Sequence, residues 1–100
     1  MSVVTIHGLG RTGNRTGMYV IEAINIVYGR KGERTFRDTS FTDDLHSTEA
    51  QYRAFLSKLE GAFGFGIDPE AASGWENVGD VVDYINDEID ERLHGALTVS

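Results

Sequence analysis

The chain has 100 residues, 40% of them apolar and 25% charged, which is the composition of one folded domain rather than of a disordered chain. It has no cysteine, so neither a disulfide framework nor a thiolate metal site can form, and its net charge of −7 disfavours binding to the phosphates of nucleic acid. No stretch is apolar and long enough to cross a membrane, and the N-terminus lacks the charged start and apolar run of a signal peptide. A cytoplasmic location is therefore expected.

Residues 1–17 carry Gly8, Gly10, Gly13 and Gly17 and no acid. They read as a basic, glycine-rich arm with a short extended piece at Val3–Ile6, set apart from a helical domain over residues 18–100. Within the arm Gly8-Leu9-Gly10-Arg11-Thr12-Gly13 matches G-x-G-x-x-G. A dinucleotide fold would need several parallel strands, and no second buried strand follows, so the match reads as a flexible loop.

From Met18 the pattern turns helical, with Val20, Ile24, Val27 and Tyr28 on one face and Gly29 as the stop. A long connection to His46 follows, with Phe36, Phe41 and Leu45 as apolar anchors. Thr48 and Gln51 have the spacing of a capping box at the start of a second helix. Tyr52, Phe55, Leu56, Leu59 and Phe63 form its apolar stripe, and Gly64 and Gly66 end it. Pro69 fits the first turn of a short helix. Asn77 caps a last helix with Asp80 in its first turn, and Val78, Val81, Val82, Ile85, Ile89 and Leu93 are its expected buried stripe. The pattern predicts an all-α bundle of three main helices plus one short helix.

Charge is unevenly distributed. Residues 1–37 hold six Arg or Lys against two acids, a surplus of +4. Residues 38–100 hold three basic residues against fourteen acids, which is −11. Asp80, Asp83, Asp87, Asp90 and Glu91 recur along one face of the last helix. Such a face suits a protein partner with a basic surface better than any polyanion.

Chemistry-bearing clusters are sparse. His7, His46 and His94 share no ligand spacing, so no metal site is expected. His46, Ser47 and the nearby Asp43 and Asp44 lie too close in sequence to aim at one another as a catalytic set, so no enzymatic activity is expected.

Four segments in ungapped register over about residues 20–85 resemble the acyl carrier protein family. They are the Ser40-Phe-Thr-Asp-Asp-Leu45 run, Leu59-Glu60 with Phe63 and Ile67, the Val78-Gly-Asp-Val-Val-Asp-Tyr-Ile85 run, and Gly29 after the first helix. The resemblance implies a helical bundle whose second helix begins with a D-S-L motif, the serine of which carries 4'-phosphopantetheine. Here that motif reads Thr48-Glu49-Ala50, so Glu49 stands at the attachment position and no cofactor is expected there. Neighbouring Ser47 and Thr48 carry hydroxyls, and the alternative attachment residue is Ser47, two residues or about half a turn away.

The family's second helix is acidic and docks to basic enzymes. In this chain its segment Glu49–Glu60 is neutral and the acids lie further on. The expectation is a non-catalytic, carrier-like module that binds a basic protein partner through Glu49, Asp80, Asp83, Asp87, Asp90 and Glu91, and that is monomeric on its own. One alternative is a true carrier modified at Ser47. Another is a small acidic immunity protein against a basic toxin.

Overall fold

The computed structural model describes residues 12–30 and 34–99, with side chains over 15–30 and 34–93. These residues form four helices: α1 (Thr12–Val27), α2 (Glu49–Phe63), α3 (Pro69–Ser73) and α4 (Val78–Val99). Among the described residues there is no strand, only one isolated bridge between Ser40 and Asn77. The all-α bundle of three long helices and a short one is the fold.

Local rules account for most helix ends. Gly29, at φ 65°, closes α1, and the Arg30 N–H reaches back to the Asn25 carbonyl at 2.9 Å, the longer bond of a Schellman end. The capping box at α2 forms on both sides. Gln51 N–H donates to Thr48 Oγ1 at 3.1 Å, and Thr48 N–H donates to Gln51 Oε1 at 3.0 Å. Gly64, at φ 80°, ends α2 with its N–H on the Glu60 carbonyl. Asp68 caps α3 with Pro69 in the first turn.

The start of α4 is built by the long connection as well as by its own residues. Val78 and Gly79 donate to the Thr39 and Arg37 carbonyls at 3.1 and 2.7 Å, so two of the helix's unpaired N–H groups are satisfied from outside. A Cβ on Gly79 would lie 3.3 Å from the Arg37 carbonyl oxygen, so this close approach is why glycine suits the position.

Val20, Ala23 and Ile24 of α1 meet Phe55 and Leu59 of α2 and Val78, Val81, Val82 and Ile85 of α4 in one buried cluster. Phe41, Leu45 and Ile67 from the connections and Ala72 of α3 complete it. Phe55 sits among three rings, with centroids 5.6 Å from Phe41, 6.3 Å from Tyr52 and 6.4 Å from Tyr28.

Three expectations are corrected. Helix α1 begins at Thr12, six residues before Met18, and carries Gly13 and Gly17 within it. Thr16 ties this segment to α4: it is buried and donates to Asn86 Oδ1 at 2.7 Å, a tertiary contact that offsets part of the helix penalty of the two glycines. Phe36, expected as an apolar anchor of the connection, and Leu93, expected in the buried stripe of the last helix, are both exposed. Leu93 continues the α4 stripe past the last residue that packs on the core cluster, Ile89. The extended piece at Val3–Ile6 and most of the G-x-G-x-x-G segment lie outside the described residues; its last residue, Gly13, is helical.

Candidate functional site

The N-terminus of α2, the connection before it and α3 enclose a shallow cleft of about 260 Å³. Phe41, Tyr52 and Trp75 supply its aromatic wall, and Ser47, Thr48 and Glu49 its polar rim. The chain enters this corner through His46, which adopts φ 49°, a conformation that a non-glycine residue takes only when its surroundings hold it there. Ser47 N–H donates to the Phe41 carbonyl at 2.9 Å and supplies part of that hold.

Each polar side chain at the rim already has a partner. Glu49 accepts from Arg53 at 2.7 Å in an i,i+4 pair on the exposed face of α2. Ser47 Oγ is hydrogen bonded to the Tyr28 hydroxyl at 2.5 Å, which turns it toward α1. Thr48 Oγ1 is held in the capping box. Tyr52 donates to the Ala72 carbonyl at 2.6 Å and ties α2 to α3. Trp75 is half-buried and edge-on to Tyr84 at 5.3 Å.

At the position where the resemblance places the attachment residue the side chain is the exposed carboxylate of Glu49, which has no hydroxyl to esterify, and the hydroxyl of Ser47 is half-buried against Tyr28.

Burial pushes the Tyr52 hydroxyl up from 10.0 to about 12, with smaller contributions from the negative charges that Tyr28 and Asp80 acquire or hold. Burial also raises Tyr28, partly opposed by its bond to Ser47. Because the folded values lie above the unfolded ones, this stabilisation is complete below pH 10 and is lost as the pH rises through about 12. Thermal melts are expected to fall across that interval, and the fall should become shallower in Tyr52→Phe. A fall as steep in the variant as in the wild type would contradict the assignment to Tyr52.

The acids of α4 divide into two groups. Asp80 Oδ2 accepts the Glu76 and Asn77 N–H groups at 2.8 and 3.3 Å, while its own N–H donates to Asn77 Oδ1 at 3.0 Å, so Asp80 works as part of the helix cap. Asp83 takes both its carboxylate oxygens to Arg37 at 3.0 and 3.1 Å. Asp87, Asp90 and Glu91 are exposed, and none of the three is in an ion pair among the described residues. Glu88 beside them pairs with Arg92 at 3.5 Å.

The residues singled out in the sequence are therefore not one patch. Glu49 lines the cleft with Trp75, near the start of α4. Asp87 lies nine residues beyond Val78, about 14 Å along the helix axis. The Tyr28–Ser47 and Arg37–Asp83 links carry no local sequence signal, since their partners are 19 and 46 residues apart. Among the described residues no His, Asp or Glu cluster could hold a metal ion, and no helix is long and apolar enough to cross a membrane.

No protein-family model matches the chain. An acyl carrier protein of Exiguobacterium sibiricum is 33% identical over 70 residues, covering 70% of this chain and 89% of that protein. Among solved structures, a candidate acyl carrier protein of Mycobacterium tuberculosis superposes with a TM-score of 0.64 at 20% identity. That match covers 74% of this chain and 96% of the other. It bears on the fold, while the curated relative is similar enough to bear on family membership.

Proposed function

The chain belongs to the acyl carrier protein family, and from that premise we propose that it is a non-catalytic member that works by docking on a basic protein rather than by carrying an acyl group. The observation that carries this reading is the pairing of two displacements. By the family's register a carboxylate, Glu49, stands at the attachment position, and α4 presents Asp87, Asp90 and Glu91 as exposed acids outside any ion pair among the described residues, while the acids of α2, Glu49 and Glu60, are engaged by Arg53 and by the Ile67 N–H. Asp80 and Asp83 contribute to the field of this face but are held by the helix cap and by Arg37. Glu49 lines the cleft at the start of α2 and is not part of this acidic face.

The reading of a carrier modified at Ser47 has less support, because that hydroxyl is half-buried on Tyr28. A basic toxin as the partner would make the chain an immunity protein, which is a special case of the same docking.

The test is affinity capture from the native cell with two baits, the wild type and a variant carrying Asp87→Lys, Asp90→Lys and Glu91→Lys. The wild type is expected to retain a basic protein that salt releases, with affinity at least about tenfold above that of the variant. A partner held equally by both baits, and unaffected by salt, would contradict the proposal.

A further inference from the structure

Helix α1 buries Val20, Ala23 and Ile24, yet on its other flank Met18 is 72%, Tyr19 47% and Ile26 58% exposed. Tyr19 and Ile26 bracket a groove of about 480 Å³ between α1 and the C-terminal half of α2. The α2 side of the groove is shallow because its residues are small. Gly61 and Ala62 line it, and a Cβ built on Gly61 would meet nothing within 4 Å. The Tyr19 ring is held as a wall by an edge-on contact to Phe63 at 5.8 Å. Tyr19 and Ile26 are thus exposed apolar side chains on the wall of one groove, and covering them favours association.

Charge selects the occupant. Glu22 stands on the α1 side of the groove and Lys58 on the α2 side, and neither is in an ion pair among the described residues. A uniformly basic surface would meet Lys58 and a uniformly acidic one Glu22, each leaving a repulsive contact, so the occupant must carry one charge of each sign. A surface of the same kind turned through a two-fold axis meets neither difficulty, since α1 then lies over the other copy's α2 and each Glu22 faces the other copy's Lys58.

We propose that two copies of this chain associate through the α1–α2 groove, in place of the monomer that the sequence led us to expect. Tyr19 and Ile26 fill the apolar centre, the small residues Gly61 and Ala62 let the helices approach, and the Glu22–Lys58 pairs fix the orientation at the rim. Asp87, Asp90 and Glu91 do not line this groove, so they remain available to a different partner.

Sedimentation equilibrium of the full chain is expected to show a reversible monomer–dimer equilibrium. Glu22→Lys and Lys58→Glu each introduce two like-charge contacts in a symmetric dimer and should weaken it at least about tenfold. An equimolar mixture of the two variants should recover the association, because a heterodimer restores an opposite-charge pair at both places. Ile26→Asp, at an exposed position that leaves the core intact, should abolish it while the circular dichroism stays unchanged. A wild type that remains monomeric up to about 1 mM would overturn the proposal. So would charge variants that associate as well as the wild type, or a mixture that fails to associate.

Discussion

Phe55→Ala is expected to remove about 4 kcal/mol of stability and to lower the melting temperature by roughly 20 °C. Phe55 is fully buried and meets Phe41, Tyr28 and Tyr52, so its loss leaves a cavity bounded by rings that are themselves fixed. Tyr52 is bonded to the Ala72 carbonyl and Tyr28 to Ser47, so neither ring can collapse into the space without breaking a hydrogen bond. A domain of this size is stable by about 5–15 kcal/mol, so one substitution removes a large share of it. Leu93→Ala is the contrasting case. It lies on the same apolar periodicity of α4 but is exposed, and its cost is expected within about 0.5 kcal/mol. Urea unfolding of both variants checks the pair; comparable losses at the two positions would contradict the packing described.

The contrast between those positions shows what the sequence could tell. Thr48 with Gln51, Gly29, Gly64, Pro69 and Asn77 were legible because each acts on backbone groups within a few residues of itself. The apolar stripes were legible as faces, but a stripe does not say where its partner stops, and so Leu93 was misplaced. The first turns of α1 are hidden from the sequence for the opposite reason. Gly13 and Gly17 carry a loop signal, while the contact that keeps this segment helical, Thr16 to Asn86, spans 70 residues. The acidic face of α4 was legible as charge alone. Which acids are free depends on Arg37, 46 residues from Asp83, and on the reciprocal bonds of Asp80 with residues 76 and 77.

The same distinction applies to the candidate site. The register of the resemblance puts Glu49 at the attachment position, but it carries no sign of the orientation of Ser47 toward Tyr28, which depends on how the end of α1 packs against the start of α2. Thr48 Oγ1 is engaged in the capping box and Ser47 Oγ is turned toward Tyr28, so both neighbouring hydroxyls already have partners.

Restoring the motif with Thr48→Asp, Glu49→Ser and Ala50→Leu is expected to turn modification from absent to complete. Aspartate caps a helix as well as threonine does, so α2 should keep its start. Glu49 and Ala50 are exposed, and losing the Glu49–Arg53 pair costs about 0.5 kcal/mol at most. After incubation with a broad phosphopantetheinyl transferase and coenzyme A, the restored variant should gain one phosphopantetheine. The wild type should gain none under the same conditions.

The account turns most directly on the intact mass of the wild-type protein isolated from its own cell. A mass equal to that of the bare polypeptide is the predicted result, since the proposed reading puts Glu49 at the family's attachment position. An added mass of one phosphopantetheine, lost on Ser47→Ala, would contradict it and make the chain a carrier.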